Sequence, residues 1–320
     1  MDVMPRTMIS VENLHVHYEG AEVLKGVTFQ VFTGEFFGLL GSNGAGKTTL
    51  VGALAGAIEP AAGNIRLDGT DLRTHPIRLK SRIGFVPQTL ALYPSLCARD
   101  NLAFFAGIYG LKGKKRSERI SAVLDVVGLS GRAKQRVGHL SHGMQRRLNI
   151  AAGLVHEPAI LILDEPTVGL DTHSRDAILA TLKDIHASGV TLVFTTHRIE
   201  EAERLCNRIG ILDGGRMIAL DTRCRLVSDF GMAIVRIEFK TAPDAMFLQR
   251  LRELGDFKAT NDQHTEFILE SKHTTNDIHR FLDLVAKPGE KFARLEIVEP
   301  GLESVFTRLT GRSKVRATAA

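Results

Sequence analysis

From residue 8 to residue 220, short apolar runs alternate with stretches of helical period. The strand-like runs are Val27–Val31, Phe36–Leu40, Ile83–Val86, Ile160–Leu163, Thr191–Thr195 and Ile209–Leu212. Between them, Thr48–Ala57, Arg116–Val127 and Ser174–Ala187 carry the spacing of amphipathic helices. Ile160-Leu161-Ile162-Leu163 has no polar position at all, the pattern of a strand covered on both faces. The alternation predicts an α/β domain with a mostly parallel sheet. The segment 89–157 is poor in strands and is expected to form an inserted helical subdomain.

Residues 221–229 are expected to join this domain to a second one, spanning 230–311, where the rhythm changes. Ala233–Phe239 alternates like a strand and Asp244–Leu254 has a helical stripe. Two strand-like runs follow, Phe257–Thr260 and Glu266–Glu270, then a helix at Thr275–Ala286 and a strand at Ala293–Val298. The β-α-β-β-α-β order predicts a small ferredoxin-like α+β domain. Gly301–Thr310 is expected to close it with a short helix, and 312–320, basic and rich in small residues, to form a disordered tail.

Composition narrows the function classes. No apolar run approaches the roughly 18–20 residues needed to span a bilayer, and Met1–Ser10 lacks the apolar core of a secretory signal. Cys97, Cys206 and Cys224 are few, odd in number and far apart, which argues against a disulfide framework or a zinc site and fits a reducing cytoplasm. The net charge of +5 is mildly basic. Basic residues cluster at Lys112, Lys114, Lys115 and Arg116, and again at Arg132, Lys134 and Arg136, inside the expected helical subdomain.

The strongest local signal is Gly41-Ser42-Asn43-Gly44-Ala45-Gly46-Lys47-Thr48, with the spacing G-x-x-x-x-G-K-[ST] of a phosphate-binding loop. It follows the apolar strand Phe36–Leu40 and opens a helix, as that chemistry requires. Glycines let backbone amides turn inward toward an anion, and the helix N-terminus adds partial positive charge. Lys47 can reach β- and γ-phosphates, and the Thr48 hydroxyl can ligate Mg²⁺. Downstream, the buried run Ile160–Leu163 ends in Asp164-Glu165. Asp164 can hold Mg²⁺ directly or through water, and Glu165 can polarise a water for attack on the γ-phosphate.

Further motifs carry a family resemblance. Leu140-Ser141-His142-Gly143-Met144-Gln145, placed before a helix expected at Arg146–Leu154, and Glu165-Pro166-Thr167-Val168-Gly169-Leu170-Asp171 resemble the signature and D-loop of ABC transporter ATPases. Gln88 resembles the Q-loop glutamine, His197 the switch histidine, and Tyr18 the aromatic that stacks on adenine. The resemblance covers residues 8–220. It implies an ATPase that binds ATP through Tyr18, Gly41, Ser42, Asn43, Gly44, Ala45, Gly46, Lys47, Thr48, Thr49 and Gln88. Glu165 and His197 would then be catalytic, and Thr48, Gln88 and Asp164 would hold Mg²⁺. The signature residues Ser141, His142, Gly143 and Met144 would close over ATP held by a second copy, with Asp171 in the D-loop. The signature departs from the usual Leu-Ser-Gly-Gly-Gln at His142 and Met144.

Met144-Gln145-Arg146-Arg147-Leu148-Asn149 and the closing run Pro300–Gly311 resemble the ABC-2 branch of drug, glycan and lipid exporters. That resemblance implies a separately encoded membrane permease, a homodimer, no nucleic-acid partner, and a peripheral place on the cytoplasmic face of the inner (plasma) membrane. The competing class is a soluble ABC ATPase acting on ribosomes or DNA. Such proteins usually carry two of these domains or a long coiled coil, whereas this chain has one domain and no sustained heptads. A silent regulatory subunit is a third reading, opposed by the presence of Lys47, Glu165 and His197 together.

Overall fold

The computed structural model describes residues 6–18, 20–239, 245–252, 256–259, 264–270, 283, 292–298 and 301–311. The chain divides into two compact units, Met1–Leu220 and Asp221–Ala320.

In the first unit, β1 (Thr7–Tyr18) and β2 (Ala21–Phe32) pair antiparallel. β3 (Phe36–Leu40) leads into α1 (Lys47–Leu54), followed by β4 (Ala62–Leu67), β5 (Thr70–Asp71), α2 (Pro76–Lys80) and β6 (Ile83–Val86). Three helices then form the strand-poor middle: α3 (Ala98–Ile108), α4 (Gly113–Val126) and α5 (His142–Leu154). β7 (Ile160–Asp164), α6 (Thr172–Ala187), β8 (Thr191–Thr196), α7 (Ile199–Leu205), β9 (Arg208–Asp213) and β10 (Arg216–Thr222) complete it.

The central sheet has the order β10-β9-β3-β8-β7-β6, and the run from β9 to β6 is parallel. Every residue of β3, β7 and β8 is buried. The reason is that both faces are covered. Phe36, Leu161, Leu163 and Phe194 pack in one apolar cluster with residues of α3 to α6. Phe37, Leu39, Ile160, Ile162 and Val193 pack in another, with α1 and the antiparallel sheet β2-β1-β4-β5. The sheet therefore presents its C-terminal strand ends, where β3 and β7 stop, as one edge from which loops carry chemistry.

The second unit begins earlier than the periodicity suggested. Residues 221–229, expected to be a joining segment, fold mostly as α8 (Arg223–Phe230), so the linker reading is corrected. Thr222 caps the helix, its hydroxyl accepting from the Arg225 amide, and Leu226 is buried. β11 (Met232–Phe239), α9 (Ala245–Arg252), β12 (Asp256–Ala259), β13 (His264–Glu270) and β14 (Phe292–Val298) follow. Their sheet is antiparallel with the order β12-β13-β11-β14, the ferredoxin-like arrangement. The closing helix α10 (Leu302–Thr310) packs against α8 through a face that buries Leu302, Val305 and Phe306. The helix expected at 275–286, apart from residue 283, and the tail 312–320 lie outside the described residues.

Candidate active site

The loop Gly41–Gly46 connects the buried end of β3 to α1. Gly46, the helix N-cap, has φ 103°, and a Cβ there would meet Leu24 Cδ2 at 2.9 Å. Only glycine satisfies both the left-handed backbone and the close approach of β2. Lys47, 5% exposed, folds back over the loop. Its Nζ donates to the Gly41 carbonyl at 2.8 Å and the Ser42 carbonyl at 3.1 Å, and it lies 3.0 Å from Glu165 Oε1. These three acceptors match the three protons of an ammonium group.

Glu165 follows the end of β7 and has φ 43°, a left-handed conformation that costs a non-glycine residue about 1–3 kcal/mol. The neighbours hold it there. Its amide donates to Thr195 Oγ1 at 2.9 Å, and the same hydroxyl donates to Asp164 Oδ1 at 2.7 Å. Thr195 thus fixes both acidic residues from the adjacent strand. Glu165 is 8% exposed, and its carboxylate sits between two side chains, Lys47 beside Oε1 and His197 beside Oε2, the latter 3.0 Å from His197 Nδ1. Asp164 lies deeper, at 1% exposure.

Of the residues expected from the sequence, Asn43, Gly44, Gly46, Lys47, Thr48, Thr49, Gln88, Glu165 and His197 line a single cleft of about 350 Å³. Val23 and Val168 also line it and were not expected. Tyr18 stands outside this lining at the end of β1, 63% exposed. Ser141, His142, Gly143, Met144 and Asp171 do not line the cleft either. They gather at two helix N-termini. Ser141 is the N-cap of α5, accepting from the Met144 amide at 3.3 Å. The helix therefore starts at His142, one turn before the Arg146 start expected from the sequence. Gly143 lies so close to α6 that a Cβ would stand 2.6 Å from Ser174 Oγ. His142 is exposed, its Cε1 3.6 Å from where a Cβ on Gly169 would be. Asp171 caps α6, accepting from the Ser174 amide at 2.9 Å, a bond that holds its carboxyl below the usual range.

Two further side chains tie α5 to the segment carrying Gln88. The buried Arg146 donates through Nη1 to the Gln88 carbonyl. Asn149 donates to the Pro87 carbonyl at 3.4 Å and accepts from the Ala91 amide at 3.2 Å. Burial pushes the Arg146 guanidinium pKa down, and the charge of Asp164 opposes the shift. The signal for Arg146 was its place on the apolar side of α5; nothing local marks its partners.

The arrangement places amide donors, a buried ammonium, a hydroxyl at a helix start and a paired carboxylate and imidazole around one anion-sized cleft. The comparisons agree with that chemistry. The family described as ABC transporter matches residues 24–168. A linearmycin resistance ATP-binding protein of Bacillus subtilis (strain 168) is 38% identical over 309 residues, covering 96% of this chain and 99% of the relative. A Nod factor export ATP-binding protein I of Burkholderia pseudomallei (strain 1710b) is 36% identical over 313 residues, covering 98% of this chain and 99% of the relative. Among solved structures, an ATP-binding subunit of an ABC transporter matches with TM-score 0.63 at 32% identity, covering 70% of this chain and 93% of that one. A dimeric post-hydrolysis state of an ATP-binding cassette bound to ADP and phosphate matches with TM-score 0.62 at 28% identity, covering 67% and 98%.

Proposed function

Because the chain belongs to the ABC transporter family, as one of its ATP-hydrolysing subunits, we propose that it drives export through a separate membrane permease, working in pairs that sandwich ATP. The observation that carries this is the single cleft in which Glu165 meets both Lys47 and His197 at 3.0 Å. A γ-phosphate entering the cleft takes over Lys47 from Glu165, which leaves the carboxylate to orient and deprotonate the attacking water. His197 holds the other side of that carboxylate and contacts the γ-phosphate. The backbone amides at Asn43, Gly44 and Gly46, which line the cleft at the start of α1, bind the β-phosphate.

The donor set fits Mg²⁺. The Thr48 hydroxyl, the Gln88 amide oxygen and the Asp164 carboxylate are hard oxygen ligands, and Mg²⁺ is held by few protein groups together with substrate phosphates. When bound, Mg²⁺ neutralises charge developing on the phosphates. Ser141 and the Gly143 amide, free of their own chain's cleft at the N-terminus of α5, serve the ATP of the second copy.

Export is favoured by the two relatives that run through nearly the whole chain and are named for Nod factor export and linearmycin resistance. Among the described residues no helix is long and apolar enough to cross a membrane, and a permease on a second polypeptide would supply the membrane spans. The exposed Tyr93, Leu96, Phe104, Ile108 and Tyr109 give the helical subdomain an apolar surface for it. The basic groups near Lys112–Arg116 suit the anionic inner leaflet of the plasma membrane. These relatives are transporter subunits, which removes the ribosome or DNA reading.

The purified protein is expected to release phosphate from ATP, to stop when EDTA removes Mg²⁺, and to co-purify with a multi-span membrane protein from detergent extracts. A chain that turns over ATP but captures no integral membrane partner would sink the transport half of this proposal. For the adenine end, Tyr18→Ala is expected to weaken ATP binding by about 1–3 kcal/mol, the range of base–aromatic stacking. Binding of inorganic triphosphate should be unchanged. Equal losses for both ligands in a titration would show that Tyr18 does not touch the base.

A further inference from the structure

Glu201 has no part in the chemistry above, yet its carboxylate touches both segments that carry that chemistry. It lies in α7 and is 2% exposed. Thr167 Oγ1 donates to its two oxygens at 2.9 and 3.0 Å, and Thr196 Oγ1 donates to Oε2 at 2.8 Å. Thr167 is separated from Glu165 only by Pro166. Thr196 directly precedes His197. The carboxylate is thus a clamp between the backbone leaving β7 and the backbone leaving β8.

A buried carboxylate is costly unless its oxygens are satisfied and its charge is countered. Here Arg198 Nε stands 3.4 Å from Oε1 and Arg175 Nε 3.9 Å from it. Arg175 also donates to the Leu170 carbonyl at 3.3 Å, which extends the connection into the run ending at Asp171. An ionised carboxylate only accepts, so both threonine hydroxyls must donate to it. Thr196 Oγ1 in turn accepts from the Arg198 amide at 3.0 Å. Hydrogen-bond directions are therefore set throughout the cluster. An apolar residue of similar volume would fill the space but would hold neither threonine.

We propose that Glu201 is a positioning residue for ATP hydrolysis: through Thr167 and Thr196 it fixes how Glu165 and His197 face each other and hence where the attacking water is held. The proposal rests on the reading of Glu165 and His197 as the hydrolytic pair. Its expected strength follows from geometry, since a misplacement of about 1 Å at a reacting centre can cost roughly 10²-fold in rate.

The test uses the full chain with steady-state ATPase kinetics and titration with a non-hydrolysable ATP analogue. Glu201→Leu is expected to lower kcat by about 10- to 100-fold, with KM and analogue affinity staying near wild type. Glu201→Gln keeps an acceptor oxygen and should restore most of the rate. Thr167→Val and Thr196→Val remove the same contacts without emptying the site, and each should lower kcat several-fold. Combined with Glu201→Leu they should add nothing, because the three groups act as one unit. Wild-type kcat in Glu201→Leu overturns the proposal. So does a parallel fall of kcat and analogue affinity in Glu201→Leu that Glu201→Gln does not rescue. If Glu201→Leu does not fold, the threonine variants decide, and full kcat in both overturns it. Failure of the underlying site reading shows separately, as full turnover in Glu165→Gln with Glu201 intact.

Discussion

Glu165→Gln protein is expected to bind ATP with near wild-type affinity and to release phosphate about 10²- to 10⁴-fold more slowly, the usual weight of a general base. The substitution keeps volume and shape, so the amide can occupy the same left-handed position, with its backbone N–H on Thr195 Oγ1. Its side-chain oxygen can still accept from Lys47. What it loses is the negative charge and the ability to take a proton from water. Binding depends on the loop amides, Lys47 and Thr48, none of which changes. ATP should therefore persist between two chains, and size-exclusion chromatography with ATP should show a stable dimer that wild-type protein forms only transiently. Single-turnover phosphate release is the decisive measurement. A Gln variant that releases phosphate at the wild-type rate would move the base role away from Glu165.

The sequence made the phosphate loop legible because its chemistry is local. A glycine spacing dictates the backbone, and the flanking strand and helix follow within a dozen residues. The strands β3, β7 and β8 were equally plain, since burial on both faces makes their central runs apolar, with polar residues mostly at the ends. β1 was harder. Its pairing with β2 shifts register between Val11 and Leu14, and Asn13 has φ 47°, so the two-residue alternation breaks in mid-strand. The joining segment at 221–229 was misjudged for a different reason. Its cap, Thr222, was visible, but the partner that makes the helix worth forming is α10, some eighty positions away in the chain.

At the site, residue types were readable and contacts were not. Lys47 and Glu165 each belong to a motif, and nothing in either motif says that they form an ion pair. Thr195 and Glu201 illustrate the limit further. One is a hydroxyl in a buried strand, and the other is one of three glutamates in Ile199–Leu205, of which α7 turns this one inward. Such placement follows from how β7, β8 and α7 meet in space.

Lys47→Ala is expected to remove ATP binding and turnover together, and to lower the stability of the nucleotide-free protein as well. Each charge-assisted hydrogen bond from the ammonium to a phosphate is worth about 1.5–3 kcal/mol, so ATP affinity should fall by at least roughly tenfold. The stability effect comes from the other partner. Glu165 is buried, and its Oε1 relies on Lys47. Breaking a buried pair from one side costs about 3–5 kcal/mol, and the value here should lie toward the low end because His197 stays beside Oε2. For a unit of this size that corresponds to a melting temperature lower by about 6–12 °C. The double variant Lys47→Ala/Glu165→Gln separates the two effects. With the buried carboxylate neutralised, melting temperature should recover much of the loss, while ATP binding stays weak because the phosphate counter-charge is still missing. The coupling between the two substitutions, read from a double-mutant cycle in thermal unfolding, should be clearly non-additive. Strict additivity would show that the Lys47–Glu165 contact contributes nothing to the folded state, and unchanged ATP affinity in Lys47→Ala would show that the lysine does not reach the phosphates.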